Sequence, residues 1–328
     1  MKPGKTANTE IPASPKLSAG YIFLGLLILS VGLNAFLYYK VGKLKPQLQT
    51  NEIQNFKWLS PHLNDIAKED RLVHFAPLKT ELISYINTEK DVNISVYFEY
   101  LITGTNFSIN VDYYTYPASL TKVPISIMIL NKVNKGVLKM EDRFPVTKVS
   151  RDSYSGDMYK YPDGTTFTLK ELLEANIIKS DNTAKNILYS LIKEEDINDL
   201  INELGVDKLF NAEGNTTAKE YARVFRSLYY ASMLTKEDSE YLLDLLTKTD
   251  PQKYMTAQLP KDVIVAHKYA SMKPERSFSD VGIVFIKNRP FLLAVTIDGR
   301  NSKTFNEDSA RRVISTIAKK SYDYVTNR

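Results

Sequence analysis

Tyr116-Pro117-Ala118-Ser119-Leu120-Thr121-Lys122-Val123-Pro124-Ile125-Ser126-Ile127-Met128-Ile129-Leu130 is the stretch on which the fold turns. Upstream, Asp91 to Tyr100 alternates apolar and polar residues, Gly104 turns the chain, and Phe107 to Tyr113 reads as a returning strand. Pro117 stops that strand, and the apolar run Val123 to Val133 carries a helix to a terminating Gly136. Ser119 thus falls in the first turn, where the i, i+3 spacing puts its hydroxyl and the Lys122 amine on one face. Backbone N–H groups at a helix start also point toward any oxyanion formed there.

Ser-x-x-Lys alone is common, and Ser190-Leu191-Ile192-Lys193 is a second instance; taken alone, Ser119 reads equally as a plain helix start. Two further pieces change this. Thr168-Leu169-Lys170-Glu171 is a capping box opening a helix through Ile178. A second apolar face, Ala184, Ile187, Leu188 and Leu191, begins after Asn182, so Ser180-Asp181-Asn182 occupies a tight joint between helices with Asp181 or Asn182 as cap. Further on, Val263 to Ala270 reads as a strand in which Lys268 shares a face with the small Ala266 and Ala270. An edge-strand gatekeeper charge is the plain alternative for that lysine.

In this order, Ser119-x-x-Lys122, Ser180-Asp181-Asn182 and His267-Lys268-Tyr269-Ala270 resemble the S-x-x-K, S-D-N and K-T-G elements of class A β-lactamases and penicillin-binding proteins. The resemblance spans roughly residues 71 to 328. It implies an α/β fold: a five-stranded antiparallel sheet covered by helices, with an inserted all-α lobe from about 118 to 260 and the active site in the crevice between them. The sequence supplies matching elements. These are a first helix through Leu82 to Ile86, strands at 280–287 and 291–298 about a hairpin at Asn288-Arg289-Pro290, and a closing helix with Ala310, Val313, Ile314, Ile317 and Ala318 on one stripe.

The resemblance also implies roles. Ser119 is the nucleophile and Lys122 its base, provided burial and the nearby cation Lys268 lower the amine's pKa. Lys268 attracts the substrate carboxylate, Ser180 relays a proton to the leaving nitrogen, and Asn182 holds the acyl-amide group. The backbone N–H groups of Ser119 and Ser271 form the oxyanion hole.

Two departures bear on substrate and turnover. Tyr269 and Ala270 replace the hydroxyl residue and glycine after the lysine, so Tyr269 takes the substrate-binding position with the carboxylate-contacting hydroxyl displaced or absent, and Ala270 adds a Cβ where substrate backbone approaches. The segment between Asn182 and Thr216-Thr217 is about a dozen residues shorter than the family's Ω-loop, which carries the glutamate that activates the deacylating water. Glu213 is the candidate for that base, with a solvated loop carboxylate as the other reading. Tyr113, Tyr114 and Tyr116, and Tyr154, Tyr159 and Tyr161, flank the motifs as cleft walls or as packing.

Other chemistries fit less well. There is no Gly-x-Ser-x-Gly elbow, only three histidines and no cysteine, which disfavours an α/β-hydrolase triad or a zinc site; neither metal nor cofactor is expected. The formal charge of +5, from 43 basic and 38 acidic residues, gives no case for nucleic acid.

Leu17 to Tyr39 carries no charged residue, and at about 1.5 Å per residue it matches a roughly 30 Å hydrocarbon core. A transmembrane helix at 17–39 is expected, between a cytoplasmic tail at 1–16 and a polar stalk at 40–70. A cleaved signal peptide is the rival, with no good small-x-small site to support it. Flanking lysines do not set the orientation; an external catalytic domain follows only from the expected function. That function is a membrane-anchored serine hydrolase acylated by β-lactams. A D,D-peptidase acting on peptidoglycan, or a degenerate wall-peptide binder, is the alternative. The sequence is silent on oligomeric state.

Overall fold

The computed structural model describes residues 19–44, 74–206, 209, 213–250, 253–273 and 276–327. The chain divides into two units, residues 1–65 and 66–328. In the first, helix α1 spans Ala19–Leu44. Its described side chains, at 24 and 26–40, are exposed, and Asn34 satisfies its amide within the helix by donating to Ser30 O at 2.8 Å. Among the described residues no helix is long and apolar enough to cross a membrane; the expected span at 17–39 runs beyond the described side chains. The expected tail at 1–16, and all of the stalk beyond residue 44, lie outside the described residues.

The second unit opens with α2 (Ala76–Ile86), β1 (Asn93–Tyr100) and β2 (Thr105–Ile109). Gly104 makes the turn at φ +71°. The returning strand ends earlier than its sequence suggests, at Ile109 rather than Tyr113. Asn110 enters the left-handed region at φ +53° and its amide donates to Ile94 O at 2.8 Å, which closes the ladder.

The helical lobe follows. It contains a 3-10 turn (Ala118–Thr121), α3 (Lys122–Asn134), the small β3–β4 hairpin (Arg143–Pro145, Thr166–Thr168), α4 (Leu169–Ile178), α5 (Asn182–Tyr189), α6 (Glu194–Leu204), α7 (Ala218–Tyr229) and α8 (Lys236–Thr247). The chain returns through a 3-10 turn (Tyr254–Gln258) to β5 (Ile264–Met272), β6 (Ser277–Phe285), β7 (Phe291–Asp298) and α9 (Glu307–Thr326). The five strands are antiparallel in the order β2-β1-β7-β6-β5.

Both faces of the sheet are covered, and strand alternation assigns each residue to one of two cores. Ala266, Ala270, Val281, Ile283, Leu292 and Ala294 face the lobe with Leu120, Val123, Leu173, Leu188 and Phe225. Val265, Phe278, Val284, Leu293 and Val295 face α2 and α9, where the expected stripe Ala310, Val313, Ile314, Ile317 and Ala318 is buried. At about 25 cal/mol per Å² of apolar surface removed from water, these two layers are the main favourable term. β5 is an edge strand and packs along the 3-10 turn bearing Ser119.

Candidate active site

Three local devices bring the motifs together. The segment before Ser119 is anchored first: Thr115 pairs backbone to backbone with Thr216, its hydroxyl meets Ser277 Oγ at 2.7 Å, and Ser277 Oγ donates to Tyr116 O at 2.9 Å. Ala118 then adopts φ +43° and the chain enters the 3-10 turn directly. Across the crevice, α4 opens on Thr168 with the complete capping box to Glu171. Ser180, at φ +52°, turns the chain between α4 and α5. Left-handed backbone at a non-glycine residue costs roughly 1–2 kcal/mol, and here it falls beside the two hydroxyls that must meet.

Asp181, not Asn182, caps α5. Its Oδ1 accepts from Ala184 N at 2.9 Å, while Oδ2 accepts from Asp157 N at 2.6 Å and Met158 N at 2.8 Å. One buried carboxylate therefore holds both the helix start and the loop 151–164, assisted by Asn182 N donating to Ser155 O at 2.9 Å. Gly156 allows that approach, because a Cβ there would lie 2.0 Å from Asp181 Oδ2.

With Asp181 as cap, Asn182 is free to face Lys122. The Lys122 ammonium donates to Asn182 Oδ1 at 2.7 Å and to Ser119 Oγ at 3.0 Å, and Ser180 Oγ donates to Ser119 Oγ at 2.9 Å. Four residues from two of the three motifs thus form one connected network. Asn176 secures it from behind by donating to Lys122 O at 3.1 Å and Ser126 Oγ at 3.0 Å. Its signal in the sequence was a polar residue on the apolar stripe of α4.

Lys122 is 1% exposed. Burial, and after it the Lys185 ammonium, pull its pKa down to about 7, against the opposing pull of Asp181 and Asp152. The sequence pointed to Lys268 as the cation that lowers the Lys122 pKa; in the structure that part falls to Lys185, one turn along α5 from Asn182. Lys268 is fully buried on the lobe face and donates to Ile177 O at 2.9 Å. Burial and the charge on Lys122 push its pKa well down, and Asp280 opposes them. The two lysines are therefore close enough to feel each other.

The remaining expected residues divide. Ser271 lies on β5 opposite Phe278, three residues beyond Lys268. Tyr269 packs against the α9 core, its ring 5.7 Å from Tyr254 and 6.2 Å from His267, and Lys268 Nζ lies 5.6 Å from the centre of the same ring. Glu213 is exposed in the turn that places Gly214 against the Tyr116 ring, beside the segment leading to Ser119. Tyr113, Tyr114, Tyr116, Tyr154 and Tyr161 are exposed, and Tyr161 packs edge-on to Phe167. His267 faces away from Lys268's side and contacts Asp280 at 2.9 Å.

A hydroxyl touching a buried amine of pKa about 7, with a second hydroxyl beside it, is equipped for acyl transfer. The model of the β-lactamase enzyme family matches residues 77–325. β-Lactamase VEB-1 of Pseudomonas aeruginosa is 25% identical over 246 residues, covering 67% of this chain and 81% of that one. A β-lactamase of Bacteroides uniformis is 25% identical over 289 residues, covering 79% and 94%. Among solved structures, a β-lactamase from Sphaerobacter thermophilus superposes with a TM-score of 0.68 at 20% identity, covering 78% of this chain and 99% of that one. PBP-A superposes with 0.70 at 19%, covering 77% and 97%, and these two likenesses establish a common fold.

Proposed function

The chain belongs to the β-lactamase enzyme family, and on that footing we propose that it opens β-lactam rings through an acyl-enzyme on Ser119. The observation that carries this proposal is the 3.0 Å contact between Ser119 Oγ and the buried Lys122 amine. As a free amine, Lys122 takes the Ser119 proton while the oxygen attacks the lactam carbonyl. The Ser119 O–C bond forms and the ring C–N bond breaks. The proton passes through Ser180, 2.9 Å from Ser119 Oγ, to the leaving nitrogen. Lys268 supplies positive charge for the substrate carboxylate, Asn182 receives the acyl-amide, and the N–H groups of Ser119 and Ser271 receive the oxyanion. Losing one such donor typically costs about 3 kcal/mol of transition-state stabilisation.

Hydrolysis needs a second step in which water attacks the ester and regenerates the hydroxyl. Glu213 is the proposed activator of that water, and its exposed turn favours slow release over rapid turnover. A long-lived adduct is the behaviour of a penicillin-binding peptidase, so D,D-peptidase chemistry on wall peptides is the second reading. The solved structure of a PBP-A variant as an acyl-enzyme with penicillin G is consistent with either.

A single-pass membrane anchor belongs to the same proposal, with the catalytic unit outside, where β-lactams and wall peptides are met. It is supported by the uncharged stretch 17–39, the exposed side chains of α1 and the internally satisfied Asn34 amide.

Exposure of the purified full-length chain to a fluorescent penicillin tests the proposal. Covalent labelling that disappears in Ser119→Ala supports it, and an unlabelled wild-type chain overturns it. Release of the label within seconds identifies a β-lactamase; an adduct persisting for hours identifies the peptidase reading.

A further inference from the structure

Asn34 is the one side-chain amide in the uncharged stretch 17–39, and the acylation steps make no use of it. It lies six positions from the middle of that stretch. At about 1.5 Å per residue this is about 9 Å, inside a hydrocarbon core whose half-thickness is about 15 Å. Lipid at that depth offers an amide no hydrogen-bond partner, so the chain itself must supply one.

One bond is made within the helix, where the Asn34 amide donates to Ser30 O at 2.8 Å. It lets a single helix tolerate the residue, but it engages one of two N–H groups. The second N–H and the carbonyl oxygen have no partner among the described residues, and the side chain is exposed.

Helical periodicity sets this amide in a seam. Leu27, Ser30, Asn34 and Leu37 recur at the alternating three- and four-residue spacing of a and d positions, along one face of α1. All four are exposed. Phe36 lies on the opposite side, with the Lys40 ammonium 5.6 Å from the centre of its ring. The aromatic ring and the cation thus occupy the back of the helix, and the front carries the amide. Ser30, the smallest residue of the seam, lets two backbones approach one turn from Asn34.

Depth and direction decide what sits on that face. Every copy of the chain crosses the membrane in the same sense, so two copies lie parallel and identical residues meet at the same height. An amide is also its own complement, because it both donates and accepts. A two-fold axis therefore brings to Asn34 the one group certain to match it, Asn34 of a second copy. In coiled coils a single Asn at an a position fixes register and oligomer state, and in membranes interhelical amide bonds join helices in the same way. Resting on the membrane-anchor reading above, we propose that α1 pairs with α1 of a second copy along the Leu27-Ser30-Asn34-Leu37 face, the two Asn34 amides bonded to each other, making the chain a parallel dimer in the membrane.

The chain has no cysteine, so one introduced thiol reports the contact without background. Leu27→Cys places it in the seam. Leu29→Cys, one heptad before Phe36, places it at nearly the same depth on the back of the helix. Copper-phenanthroline oxidation of membranes carrying the full chain should link Leu27→Cys into a dimer, with at least about tenfold less product from Leu29→Cys. In detergent micelles, sedimentation equilibrium should show the dimer constant falling about 3- to 30-fold in Asn34→Leu and staying within about threefold in Asn34→Gln, which keeps the amide.

Alkaline carbonate extraction of the same membranes separates this inference from the anchor on which it rests. A chain that washes off is not anchored by α1, and the pairing falls with the anchor. A chain that stays but is monomeric, or that cross-links equally from both faces, overturns the pairing and leaves the anchor standing. Cross-linking of Leu27→Cys to a different membrane protein in place of itself also overturns it. Fluorescent penicillin should label these variants at the wild-type rate, because the contact lies in the first unit of the chain and Ser119 in the second.

Discussion

Acidification from pH 8 to pH 6 perturbs one group in the nucleophile's network directly, because Lys122 must lose a proton before it can take one from Ser119. With its pKa held near 7 by burial and Lys185, about nine-tenths of Lys122 is free amine at pH 8, half at pH 7 and about one-tenth at pH 6. An unperturbed lysine at 10.5 would offer about one free amine in three thousand at pH 7, so the buried setting raises the population of active base by about three orders of magnitude. The second-order rate of labelling by a fluorescent penicillin, measured by rapid quench between pH 5.5 and 8.5, should rise about tenfold from pH 6 to 8 with a midpoint near 7. Removing the neighbouring cation in Lys185→Gln should move the midpoint upward and slow labelling at pH 7. A flat profile, or one still climbing toward pH 10, would refute Lys122 as the base.

Three more expectations follow from the same contacts. Lys122→Met should stabilise the fold while abolishing acylation. The folded pKa lies below the unfolded one, so stability falls as pH drops from about 10.5 to 7 and the penalty, up to about 5 kcal/mol, is complete below 7. Urea denaturation at pH 6 should therefore show a larger gain than at pH 9, and a loss at both would contradict the burial cost. Asp181→Ala strands three backbone N–H groups and should cost about 3 kcal/mol or more, with faster proteolysis of the loop 151–164; a change under about 1 kcal/mol would show that the carboxylate is not the tie. Glu213→Gln should slow label release if Glu213 activates the water, and release at the wild-type rate would remove it from the mechanism.

Local chemistry made much of this molecule legible in its sequence. The i, i+3 relation of Ser119 and Lys122, the Thr168 capping box, the small residues flanking Lys268 and the apolar stripe of α9 are each set by periodicity or by a helix end. What stayed hidden depends on contacts between distant residues. Asp181 reads as an N-cap and no more, since its hold on Asp157 and Met158 exists only once the loop folds back over α5. Lys185 reads as a solvated lysine until Asn182 is seen facing Lys122. The early end of β2 lies in the backbone of Asn110, which the aromatic run after it masks. The packing of Tyr269 against the α9 core was implicit in strand alternation, because Lys268 and its neighbour cannot both face the lobe.

Peptide mapping of the penicillin-treated chain by mass spectrometry bears most directly on the central claim, that Ser119 is the hydroxyl activated by Lys122. The expected result is one penicilloyl adduct on the peptide containing Ser119, absent in Ser119→Ala and in Lys122→Met at pH 7. No adduct on the wild-type chain, or an adduct on a peptide without Ser119, would contradict it.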